Sequence, residues 1–153
     1  MRILVVDDDA ELRDLLVTAL RRRGHEVEGL PSAFGVTNAL AGRVGASRPD
    51  VLVLDHGLPA LSGGNLLELL TRDADTAKVP VLLYSAAPYD MLVRLAQGHP
   101  CCTPLMKDGR ISRVIATVEA LGQGGPLPPG VSTVTPVEGP LEQTLTGFNP
   151  RLN

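Results

Sequence analysis

Apolar residues fall into two spacings along this chain. Arg2–Val6, Val51–Leu54 and Val79–Tyr84 are short unbroken runs, the pattern of buried strands. Glu26–Leu30 is a weaker run, and Cys101–Met106 is a short run that carries Pro104. Between them the apolar positions recur every three or four residues. Residues 10–23 set Leu12, Leu15, Leu16, Ala19 and Leu20 on one helical face, and Gly24 is a stop. Residues 33–44, 64–71, 89–97 and 109–121 read as further helices. The last of these carries Ile111, Val114, Ile115, Val118 and Leu121 on one face, with Asp108 as its expected N-cap. Pro104 lacks an N–H, which assigns its strand to a sheet edge. Five strands each followed by a helix predict an α/β fold, a doubly wound five-stranded parallel sheet with helices on both faces.

Composition refines this picture. The chain has 153 residues, room for one ordinary domain, and its aromatic content of 3% with no Trp makes the core aliphatic. Residues 1–121 hold 10 Gly and 7 Pro, whereas the much shorter stretch 122–153 holds 6 of each. That shift places a boundary near Gly122, dividing a domain at 1–121 from a Pro/Gly-rich tail at 122–153. In the tail Val131, Val134, Val137, Leu141, Leu145, Phe148 and Leu152 form an apolar stripe that Pro136 and Pro140 keep from being one helix. The tail is expected to be flexible or to dock on a partner, a second copy or its own domain. A net charge of −3 argues against a nucleic-acid-binding surface. No apolar run reaches the roughly 20 residues of a membrane span, and acid follows the first apolar run too early for a signal peptide. Cys101 and Cys102 are adjacent and rarely bridge each other, so a reducing cytoplasm is the expected setting.

Parallel sheets of this kind bind ligands at the carboxyl ends of their strands. The first strand ends in Asp7, Asp8 and Asp9, the third in Asp55, the fourth in Ser85 and the fifth in Lys107. A single strand-terminal Asp is often only a helix cap, and Asp9 fits that role best. Carboxylates converging from two strands repel unless a cation neutralises them. Mg²⁺, a hard cation that takes one or two carboxylates and keeps several waters, suits them. A carboxylate beside it could act as nucleophile toward a phosphoryl group. Lysine and hydroxyl groups would then stabilise the transferred oxygens.

With these residues in place, the chain resembles the receiver domain of bacterial response regulators over about residues 1–121. Ile3-Leu4-Val5-Val6-Asp7-Asp8 is similar to the family's first strand and acidic pair. Val51–Asp55 is similar to the strand that ends in the phosphoacceptor. Pro59 and Gly63 match the loop that follows, Ser85 the Ser/Thr position, and Lys107 the lysine. The resemblance implies a flavodoxin-like strand order 2-1-3-4-5. It implies that Asp55 accepts a phosphoryl group from a sensor histidine kinase or phosphotransfer protein. It also implies Mg²⁺ held by Asp7, Asp8, Asp55 and the Gly57 carbonyl, with Asp7 acting through water. Ser85, the Ala86 amide and Lys107 would contact the phosphoryl oxygens. The chain would then be a stand-alone switch or relay intermediate rather than a metabolic enzyme. Its output partner would be another protein and not DNA, with room for oligomer formation.

Three departures qualify the resemblance. Pro104 stands where the family often has an aromatic switch residue. Asp108 follows the lysine where a cis-proline is usual, so a trans bond is expected. Gly57 and Ala87 are small where larger side chains often shield the acyl phosphate from water. Two rivals remain: a degenerate receiver acting as a phosphorylation-independent scaffold, and a haloacid-dehalogenase-type phosphatase with Asp7 as nucleophile. Smaller features carry less. His25 is expected to be exposed, His56 to turn away from the site, and the His99–Cys102 stretch to lack a full set of zinc ligands. The Arg21-Arg22-Arg23 run suits the end of a helix dipole or a partner surface.

Overall fold

In a computed structural model, residues 1–33, 35–36, 48–58 and 61–134 are described. The strands are β1 (Arg2–Val6), β2 (Glu26–Leu30), β3 (Val51–Leu54), β4 (Val81–Ser85) and β5 (Cys102–Met106). The helices are α1 (Ala10–Arg22), α2 (Gly63–Leu70), α3 (Tyr89–Ala96) and α4 (Ile111–Gln123), with a 3₁₀ turn at Thr76–Lys78. All strand pairs are parallel and the sheet order is β2-β1-β3-β4-β5. This is the doubly wound architecture expected from the alternation, with Pro104 on an edge strand. The helix expected over 33–44 falls mostly outside the described residues.

Strand alternation sorts the core into two layers. Leu4, Val6, Leu52, Leu54, Leu83 and Cys102 face Leu66, Leu67, Leu70, Leu92 and Ala96 of α2 and α3. Ile3, Val5, Val53, Leu82, Tyr84 and Leu105 face Leu16, Leu20, Val114 and Val118 of α1 and α4. The central strands are buried on both sides, which is why their sequences read as continuous apolar runs.

The local signals shift in three places. On α1 the buried stripe is Leu16, Val17 and Leu20, while Leu15 stands 51% exposed. Asp108 is not the N-cap of α4: its Oδ1 accepts the Arg110 N–H at 2.9 Å in a turn, and the helix starts at Ile111. Gly122 does not end that helix. It lies inside α4, where the Met1 side chain packs into the space a Cβ would fill. The helix ends instead at Gly124, whose φ of 71° is the left-handed stop that glycine adopts without strain. Past it, the first part of the Pro/Gly-rich segment packs on the domain, with Val131 buried and Leu127 and Val134 partly so.

Candidate functional site

The ends of β1, β3 and β5 are held together by the sheet ladder. The Asp7 N–H donates to the Leu30 carbonyl at 3.1 Å and the Asp55 N–H to the Val6 carbonyl at 3.0 Å. The Lys107 N–H donates to the Ser85 carbonyl at 2.9 Å. These bonds fix four backbone positions and leave their side chains to converge beyond the strand ends. One oxygen from each of Asp7, Asp8 and Asp55 lies within 4.8 Å of the others. Asp7 and Asp55 are buried and Asp8 is exposed, so the pocket opens to solvent on one side.

Lys107 reaches into this group. Its Nζ is 2.9 Å from Asp7 Oδ2 and 3.3 Å from Asp55 Oδ2. It also lies 5.9 Å from the centre of the Tyr84 ring. Asp7 Oδ1 accepts the Asp9 N–H, and Asp55 Oδ1 accepts the Gly57 N–H. Burial raises the Asp7 pKa, against the lowering effect of Lys107. Burial also works against the Lys107 ammonium. The hydrogen bond to Asp7 and the charges of Asp55 and Asp7 outweigh it, so its pKa is raised and the charge is retained.

The other predicted residues take distinct places. Ser85 is buried at the end of β4, where its Oγ accepts the Ala87 N–H at 3.4 Å. Among the described contacts no hydrogen bond joins it to Asp55. Ala86 and Gly57 are exposed. Asp9 is a helix cap, its Oδ1 accepting the Glu11 and Leu12 N–H groups. His56 turns to α2, where Nδ1 accepts the Gly64 N–H. Pro59 lies outside the described residues. The peptide bond after Lys107 is trans, as Asp108 in place of proline implies. His25 is not exposed: its side chain is 8% accessible and bonds Glu119, a partner 94 residues away that local sequence does not reveal. Two neighbours escaped sequence reasoning. Arg13 donates to the Asp7 carbonyl at 2.8 Å, and Tyr84 supplies the ring near Lys107. Tyr84 had a readable signal in its place directly before Ser85.

Among the described residues, the three aspartates are the one cluster with metal-ligand geometry. Burial pushes the Cys102 thiol up to about 12, so it is held neutral in the core. The aspartate set is all oxygen and carries more acid than Lys107 neutralises, which fits a hard divalent cation.

A family model described as the response regulator receiver domain matches residues 3–119. The chain belongs to this family. It is 31% identical over 153 residues to the transcriptional regulatory protein PrrA of Mycobacterium leprae, covering 99% of this chain and 63% of that protein. It is 33% identical over 131 residues to CutR of Streptomyces coelicolor, covering 84% of this chain and 58% of that protein. The chain thus spans about three fifths of the length of these curated relatives. The Francisella response regulator 1452 receiver domain superposes with a TM-score of 0.69 at 22% identity, covering 80% of this chain and 97% of that one. The phosphorylated cyanobacterial phytochrome response regulator RcpA superposes with a TM-score of 0.68 at 25% identity, covering 83% and 97%. Receiver domains are signalling modules that work with histidine kinases, not classical enzymes. No described helix is long and apolar enough to cross a membrane.

Proposed function

We propose that this receiver accepts a phosphoryl group on Asp55 and acts as a phosphorylation-controlled protein-interaction switch. The observation that carries this reading is the convergence of Asp7, Asp8 and Asp55, with the Lys107 ammonium bridging Asp7 and Asp55. Asp7, Asp8, Asp55 and the Gly57 carbonyl would hold Mg²⁺, which would screen the carboxylates and the incoming phosphate charge. An Asp55 Oδ attacks phosphorus, an O–P bond forms, and the P–N bond to the donor imidazole breaks. The electron pair goes to the imidazole nitrogen. Lys107 exchanges Asp55 for a phosphoryl oxygen, and Ser85 and the Ala86 amide supply hydrogen bonds to the others.

One solved relative, RcpA, is a phosphorylated response regulator, which supports this reading. The sensor kinase, a protein output partner and a cytoplasmic setting belong to the same proposal. The test is incubation with a small phosphodonor and Mg²⁺. Wild type should gain one acid-stable, base-labile phosphoryl group that Asp55→Asn does not. Gain by neither protein would leave only a phosphorylation-independent scaffold, and equal gain by both would place the acceptor at a residue other than Asp55.

A further inference from the structure

The chain leaves α4 at Gly124 and turns back along the open side of β5. Val131 is buried against the layer of Leu105, Val114 and Val118, while Val134 packs on the opposite layer. Between these anchors, Thr133 Oγ1 lies 2.7 Å from Thr103 Oγ1, and the Val134 N–H donates to the Cys102 carbonyl at 3.0 Å. The segment therefore crosses the sheet edge and touches both faces. The backbone of β5 shows what it covers. Cys101 and Lys107 direct their backbone bonds to β4, so Cys102, Pro104 and Met106 direct theirs outward. Pro104 has no N–H to offer, and the Cys102 carbonyl is taken by Val134. An open edge is otherwise a template for pairing with another chain.

One side chain ties this segment to the acidic pocket. Arg113 Nη1 lies 3.5 Å from Asp108 Oδ2, and its Nη2 donates to the Pro129 carbonyl at 3.4 Å. Asp108 directly follows Lys107, whose ammonium holds Asp7 and Asp55. We infer that residues 127–134 form a releasable strap whose grip on β5 weakens when the pocket takes up a divalent cation and a phosphoryl group. This rests on the reading of the pocket given above. With a cation held by the three carboxylates, the Lys107 ammonium would be driven from Asp7. The Lys107–Asp108 segment moves with it, and Arg113 loses the position from which it serves both Asp108 and Pro129. Coupling of this kind is reciprocal, so loosening the strap tightens cation binding by the same factor.

Amide hydrogen exchange on the full chain reads the strap directly. With Mg²⁺ and beryllofluoride, the Val131 and Val134 amides should exchange about tenfold faster, while amides in β1 and β3 do not accelerate. Val131→Asp and Thr133→Val loosen the strap without touching the pocket. In a titration with Mg²⁺ alone, followed by the Asp8 and Gly57 amide shifts, both should bind several-fold more tightly than wild type. Thr133→Val carries this comparison if Val131→Asp does not fold. Unchanged exchange in a chain that binds beryllofluoride overturns the strap and leaves the pocket reading standing. Failure to bind beryllofluoride overturns the pocket reading instead. The strap is then decided by the Mg²⁺ titration, where equal affinities for wild type and Thr133→Val overturn it.

Discussion

At the carboxyl ends of the strands, three carboxylates cluster and two of them, Asp7 and Asp55, share one ammonium. At the amino ends, one carboxylate is shared by a guanidinium and an imidazole: Glu119 lies 2.6 Å from Arg23 Nη2 and 2.8 Å from His25 Nε2. The two clusters answer burial differently. The Arg23 and His25 hydrogen bonds hold the Glu119 carboxyl below its usual range. Asp7 stays above its usual range despite a lysine at 2.9 Å, because burial costs it more than Lys107 returns. The lower cluster is closed: its acid is satisfied and its role is to join α4 to the turn before β2. The upper one carries an acid excess that folding does not require. Charge left uncompensated in a built pocket marks a place where something else binds.

Lys107→Met tests the upper cluster most severely. Losing the one ammonium that faces a transferring phosphoryl group should slow phosphoryl incorporation roughly 100-fold. Glu119→Gln should leave that rate unchanged, and rapid-quench kinetics on both variants checks the contrast.

His99 sharpens the comparison from a third position, since it is a buried titratable group with no charged partner among the described residues. Among them its Nε2 finds no hydrogen-bond partner, and desolvation lowers its pKa to about 4. Below its ordinary value of 6.5 the unfolded chain binds a proton that the folded chain refuses. Stability present above pH 6.5 is therefore lost as pH falls toward 4, by roughly 3 kcal/mol. Urea midpoints across that window should fall in wild type and fall less in His99→Leu.

Smaller effects of opposite sign should separate the two clusters at neutral pH without added cation. Glu119→Gln should destabilise by about 1 kcal/mol or less, because Arg23 is mostly exposed and the pair is screened. Asp8→Asn should stabilise by a few tenths of a kcal/mol, because it relieves repulsion near Asp7 and Asp55. Added Mg²⁺ should reverse the second ranking, stabilising wild type more than Asp8→Asn. Thermal unfolding with and without the cation reads all three.

Much of this was legible in the chain because a parallel strand buried on both faces must be apolar until it ends. The first polar residue after each run, at Asp7, Asp55 and Lys107, therefore announces the site. Pro104 announced an edge for a similar reason. What escaped depends on contacts between distant segments. His25 reads as a turn residue until Glu119 is brought beside it. Gly122 reads as a breaker until Met1 is packed against it. The residues after Gly124 have a composition that stops regular structure, but composition does not forbid packing, and Val131 and Val134 find apolar places on both sides of β5. Ser85 sits where expected, yet its hydroxyl faces the Ala87 amide rather than Asp55.

The most direct measurement is to locate the acyl phosphate by hydride reduction and peptide mass mapping after exposure to a phosphodonor. The account predicts one modified residue, Asp55, formed with Mg²⁺ and absent after chelation. Modification at Asp7, or at Asp55 to the same extent without any divalent cation, would contradict it.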